Sequence, residues 1–113
     1  MAKIAEIELI GCSGKKYTFS IYPITTSFVS LGGVYYISKR VDIKGIGNHT
    51  HIYLGVTDNL STRFDNHHKQ DCFEKDQANC VSILLCDDED ERFEIEKDLL
   101  CNYNFKCNEV LNN

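Results

Sequence analysis

The sequence predicts one α+β domain, and three patterns carry that prediction. Ala5, Ile7 and Leu9 alternate with Glu6 and Glu8, the period-two pattern of a half-buried strand. After the turn signal Gly11-Cys12-Ser13-Gly14, Tyr17, Phe19 and Ile21 resume it, so the chain opens with a β-hairpin. Two β-branched and aromatic runs, Val34-Tyr35-Tyr36-Ile37-Ser38 and His51-Ile52-Tyr53-Leu54-Gly55-Val56, are joined by a connection too short for a helical crossover, so they should pair antiparallel. From Phe93 to Tyr103 the apolar residues recur at helical spacing. At 113 residues the chain has the usual size of one domain with one core.

The remaining elements follow in order. Pro23 and Thr25-Thr26-Ser27 end the hairpin, and Gly32-Gly33 introduces the third strand. Gly45, Gly47, Asn48 and His49 read as a loop before the fourth strand. Thr57-Asp58-Asn59 is an N-cap cluster. In the helix it starts, Leu60, Arg63, Phe64 and His67 share a face, with Arg63 and His67 as i,i+4 neighbours. Residues 70–80 are polar and irregular, and Val81-Ser82-Ile83-Leu84-Leu85 reads as a buried strand. Asp87-Asp88-Glu89-Asp90 then sets acids at the positive end of the last helix. On that helix Glu96 falls in the apolar stripe of Phe93, Leu99, Leu100 and Tyr103, while Glu94, Lys97 and Asp98 point elsewhere. An unpaired buried carboxylate costs several kcal/mol, roughly, so Glu96 is expected to meet a cation, a metal or donors. Arg63 or Arg92 would serve as a purely structural partner.

Composition narrows the class. Hydrophobic content of 42% with 26% charged residues is that of a globular protein. No stretch approaches the ~20 apolar residues of a membrane span, and Met1 to Glu8 lacks a secretory core, so a cytoplasmic protein with no membrane partner is expected. The six cysteines form no CxxC pair and are expected to be reduced thiols, several of them buried. The net charge of −5 is unevenly placed. Over 39–69, Lys39, Arg40, Lys44, Arg63 and Lys69 outweigh Asp42, Asp58 and Asp65, and all four histidines lie there. Residues 70–98 hold eleven acids against Lys75, Arg92 and Lys97. A polyanion would have to approach the 39–69 surface. His67, His68, Cys72 and Cys80 are zinc-type ligands, but their spacing matches no standard structural zinc site.

Taken together, Gly33-Val34-Tyr35, Tyr53-Leu54-Gly55, the run from Thr57 through Arg63 to His67, and Glu96 followed twelve residues later by Asn108 resemble the signature of the GIY-YIG nuclease superfamily. The resemblance covers residues 32–109 and sets 1–31 apart as a hairpin extension of a single 1–113 domain. It implies a three-stranded antiparallel sheet flanked by helices, with strands near 33–38, 51–56 and 81–85. By position it implies that Tyr35 and Tyr53 engage the attacking water and the phosphate, and that Arg63 holds the scissile phosphate. It further implies that His67 assists proton transfer or contacts the phosphate, Glu96 ligates Mg²⁺ or Mn²⁺, and Asn108 fixes that corner. Arg63, His68, Lys69 and Lys39 would face the nucleic acid, with DNA the expected substrate. Either Tyr35 or His67 would take the proton: a free phenol titrates near ~10 and needs cations to lower it, whereas imidazole titrates near neutrality. Val56 stands where the family often has lysine, and no proline precedes Asn108. The alternative expectation is the same scaffold serving as a non-catalytic nucleic-acid or protein binding module, with the N-terminal hairpin available to a protein partner.

Overall fold

A computed structural model describes residues 3–64 and 67–108. Met1 and Ala2, Asp65 and Asn66 of the run from Thr57 to His67, and residue 109 at the end of the expected core lie outside the described residues. The chain forms strands β1 (Ala5–Ile10), β2 (Lys16–Pro23), β3 (Gly33–Ile43), β4 (Ile46–Thr57) and β5 (Cys80–Leu85). Three helices are described, α1 (Leu60–Arg63), α2 (Gln70–Lys75) and α3 (Glu89–Asn102). The strands make one antiparallel sheet in the order β1-β2-β5-β3-β4. The fold is therefore α+β, with five strands rather than three, because the N-terminal hairpin adds to the sheet by pairing β2 with β5. Among the described residues no helix is long and apolar enough to cross a membrane.

The third and fourth strands are longer than the sequence suggests. Gly47, Asn48 and His49, expected in a loop, pair with Asp42, Val41 and Arg40 inside the ladder. Lys44 and Gly45 both have positive φ, 53° and 81°, and make the two-residue turn whose twist suits a hairpin. Farther along, a bulge sets Ile37 opposite Tyr53 and Ser38 opposite His51. The extra residue, Ile52, joins Tyr53 in one core cluster.

The sheet buries both faces. Tyr35, Ile37, Tyr53, Leu60, Phe73 and Val81 form a core under α1 and α2. Leu9, Phe19, Val34, Tyr36, Ile95 and Leu99 form a second core under α3. Odd-numbered Tyr35 and even-numbered Tyr36 thus serve opposite layers, as strand alternation requires.

The helices depart from expectation in three places. Asn59 caps α1, its side chain accepting from Ser61 N–H, but the helix stops at Arg63. His67 is therefore not on its face. Residues 70–75, expected to be irregular, form α2 with Phe73 as its buried anchor. In α3, Asp88 caps the N-terminus as the acids suggested, yet the buried stripe is Arg92, Ile95 and Leu99. Phe93 and Leu100 are exposed, so Glu96 sits at the edge of the buried face rather than in its middle.

Four cysteines, expected as free thiols, are paired as Cys12–Cys101 and Cys72–Cys107. Only Cys80 and Cys86 are free. The partners are 89 and 35 residues apart, with Cα atoms 5.8 and 6.0 Å apart. Such pairs depend on tertiary contacts that cysteine spacing does not encode.

Candidate active site

Four of the expected site residues meet under the α1 layer. Tyr35 comes from β3, the strand between β5 and β4, and is fully buried. Its register partner is Gly55. A Cβ at Gly55 would lie 2.6 Å from Tyr35 Oη and 2.8 Å from the Tyr53 ring, so this position has to be glycine for both tyrosines to lie where they do. The Tyr35 and Tyr53 ring centroids are 5.9 Å apart.

Tyr35 Oη is the hub. Arg63 Nε–H donates to it at 3.0 Å, and His67 Nε2 lies 2.7 Å away. The Lys69 backbone N–H donates to His67 Nδ1 at 3.0 Å. A backbone N–H can only donate, so the neutral ring carries its proton on Nε2 and donates to Tyr35. His67 thus joins Arg63 at one oxygen without sharing a helix with it. The His67–Lys69 contact is a loop-specific bond that residue spacing gave no sign of.

The environment sets the protonation of this cluster. Burial first, and then the charges of Arg63, His68 and Lys69, pushes His67 down to about 4, so the ring is neutral at pH 7. Burial pushes the Tyr35 phenol up, reinforced by Tyr53 and only partly offset by Arg63. Both ring nitrogens of His67 are engaged, and Tyr35 Oη already accepts two hydrogen bonds. Neither offers a free lone pair to a water molecule.

Around the hub, His68 stacks on His67 with centroids 4.6 Å apart. Its Nδ1 lies 3.4 Å from Arg63 Nη2. Arg63 is half-buried and His68 exposed, so this edge of the cluster reaches solvent. Lys39 lies on β3, and its ammonium donates to Gln77 Oε1 at 2.7 Å.

Glu96 and Asn108 stand apart from this hub, on α3, which packs on the other core, and on the C-terminal segment. The segment runs beside β4, the last strand of the sheet: Lys106 N–H donates to His51 O, and Cys107 N–H to Ile52 O. Asn108 then uses both ends of its amide on one residue. Leu54 N–H donates to Asn108 Oδ1 at 2.9 Å, and Asn108 Nδ2 donates to Leu54 O at 3.0 Å. Its side chain holds the strand that carries Tyr53.

Glu96 is half-buried, and burial pushes its carboxyl up. Its charge reaches Tyr53, whose phenol is raised by burial first and by Glu96 in part. Among the described residues the Glu96 carboxylate makes no hydrogen bond or ion pair. Arg92, considered above as its partner, instead donates through Nη1 to the Cys86 and Asp87 carbonyls. Arg63 is turned to Tyr35.

Residue spacing also passed over Asp98. It accepts from Ser13 N–H at 2.9 Å, from Ser13 Oγ and from Tyr17 Oη, tying the hairpin turn to α3. A cleft of about 280 Å³ opens there beside Cys12, Lys15 and Lys97. Among the described residues, the one grouping of three metal-type ligand atoms is Cys72, Asp76 and Cys107, not His67, His68, Cys72 and Cys80.

Compared with family models, curated proteins and solved structures, this chain finds no match.

Proposed function

We propose that the chain is a GIY-YIG-type, metal-dependent endonuclease that hydrolyses phosphodiester bonds in nucleic acid, DNA being the expected substrate. The observation that carries this reading is the Arg63–Tyr35–His67 junction. One guanidinium is held through Nε by a buried phenol, and its Nη2 lies 3.4 Å from Nδ1 of the exposed His68, where the cluster reaches solvent. Planar nitrogens so oriented suit phosphate oxygens, and little ordering is left to do when substrate arrives.

Arg63 then binds the scissile phosphate and balances the charge that grows on it. Tyr35 and His67 position Arg63 rather than touch water, since one is sealed and the other has both nitrogens engaged. His68 and Lys69 extend the cationic and polar edge, and Lys39 lies farther along β3. Asn108 keeps the Tyr53-Leu54-Gly55 strand in register. The Glu96 carboxylate, half-buried and without a protein partner among the described residues, fits a single-carboxylate site for Mg²⁺ or Mn²⁺. Such an ion supplies Lewis-acid stabilisation of phosphoryl oxygen and a more acidic water. The outer edge of β1 is the surface we assign to a protein partner.

The test is plasmid nicking by the purified chain with and without magnesium. Cleavage that needs the ion and is lost in Arg63→Ala supports the reading; no cleavage of duplex, branched or single-stranded substrates with either ion rejects it. One observation favours the second reading, a binding module: neither Tyr35 nor His67 has a free lone pair for water. That reading expects Arg63-dependent nucleic-acid binding with no hydrolysis.

A further inference from the structure

We propose that reduction of the Cys72–Cys107 disulfide creates a binding site for a soft divalent cation such as zinc, formed by the two thiolates and Asp76. Cys72 and Asp76 are four apart on α2 and its C-cap, and the Asp76 N–H donates to Cys72 O, so their side chains share a face. Cys107 arrives from the segment running along β4 and is almost wholly buried. Asp76 Oδ2 lies 3.4 Å from Cys107 Sγ and 3.8 Å from Cys72 Sγ, and all three ligand atoms fall within 4.8 Å of one another. Zinc bonds thiolate sulfur at about 2.3 Å and carboxylate oxygen at about 2.0–2.2 Å, so ligand atoms this close can share one ion after the sulfurs part. Two thiolates select zinc over magnesium, and three protein ligands leave a fourth position for water.

The two states exclude each other chemically. A cellular dithiol breaks the Cys72 Sγ–Cys107 Sγ bond, passing two electrons and two protons to the sulfurs and closing its own disulfide. On metal binding each thiol releases its proton to solvent, and the ion takes both thiolates and the Asp76 carboxylate. Either state ties α2 to the C-terminal segment. Those are the elements that begin beside the Lys69 amide on His67 and end at the Asn108 clamp on Leu54. The proposal does not rest on nuclease activity, because metal binding is its readout.

The experiment is a cobalt(II) titration of the full chain, oxidised or fully reduced and freed of reductant without oxygen. The reduced chain is expected to develop thiolate-to-cobalt charge-transfer absorbance that saturates at one ion per chain and is bleached by zinc. The oxidised chain should show none. Cys72→Ser and Cys107→Ser should abolish the band, and Asp76→Asn should weaken binding at least about tenfold. The double variant Cys12→Ser/Cys101→Ser should keep the band, which controls for the other disulfide. Absence of the band from the reduced chain, its survival in Cys107→Ser, or unchanged affinity in Asp76→Asn would each overturn the proposal.

Discussion

His67 donates from Nε2 to Tyr35 Oη across 2.7 Å, and the direction of that bond is fixed from the far side of the ring by the Lys69 amide. Since Arg63 Nε donates to the same oxygen, Tyr35 Oη is the acceptor that Arg63 Nε and His67 Nε2 share. Tyr35→Phe removes that oxygen and leaves two donors facing a ring edge. A buried donor left unsatisfied costs about 1–3 kcal/mol. We expect Tyr35→Phe to lower the urea unfolding free energy by at least that much. We also expect it to weaken nucleic-acid binding, because Arg63 loses the contact that orients it. A phenylalanine variant as stable as the wild type would show that the junction is not formed.

The same bonds give a pH dependence. His67 titrates near 6.5 in an unfolded chain and at about 4 when folded. Between those values the unfolded chain binds more protons, so stability is full above about 6.5 and falls as pH drops toward about 4. A shift of this size corresponds to something on the order of 3 kcal/mol. His49 and His51 are also pushed down by burial and add in the same direction. His67→Gln isolates one term, since glutamine can accept from the Lys69 amide and donate to Tyr35. Urea midpoints at pH 7 and 4.5 should differ less in His67→Gln than in the wild type. Equal pH slopes would mean that His67 is not held neutral.

What could be read in the sequence was local. Alternation located β1 and β2, an apolar run located β5, and Asn59 and Asp88 cap helices within the Thr57-Asp58-Asn59 and Asp87-Asp88-Glu89-Asp90 clusters. The α3 stripe was placed about one residue off, because Phe93 and Leu100 satisfy helical spacing while Arg92, offered as a partner for Glu96, lies buried on the Cys86 and Asp87 carbonyls. A guanidinium can be buried when fixed carbonyls accept from its N–H groups, and that pairing is invisible without the fold. His67 shows the converse. Its i,i+4 spacing from Arg63 suggested a shared helix face, yet the two meet at Tyr35 after the helix has ended. The pairing of β2 with β5 and both disulfides link segments far apart in sequence, where periodicity carries no information.

Gly55 and Asn108 act on the same strand from different sides, and their substitutions should differ in kind. Gly55→Ala would force Cβ within 2.6 Å of Tyr35 Oη, so overpacking should cost about 1–3 kcal/mol and disturb both tyrosine rings. Asn108→Ala leaves Leu54 N–H and C=O at the sheet edge with no side-chain partner. Faster hydrogen exchange at the Leu54 amide, read by NMR, is the expected mark. Asn108→Asp should be worse than alanine, since one carboxylate oxygen would face the Leu54 carbonyl that now accepts from Nδ2. An Asp variant with wild-type protection at Leu54 would contradict the two-point clamp.

Glu96 and Arg63 separate stability from chemistry. Burial penalises the charged Glu96 carboxylate, and no described side chain compensates for it. Glu96→Gln removes the charge while keeping the shape, so unfolding free energy should stay within about 0.5 kcal/mol of wild type or rise. Arg63→Ala also empties a hydrogen bond at Tyr35 and should destabilise by about 1–3 kcal/mol. On the proposed reading each loses an interaction made to developing charge, so magnesium-dependent cleavage should fall by about two orders of magnitude or more in both. Isothermal titration should add a distinction: magnesium affinity lost in Glu96→Gln and retained in Arg63→Ala. Cleavage that survives Glu96→Gln would sink the metal assignment at that residue, while loss of magnesium affinity in Arg63→Ala alone would move the ion away from Glu96.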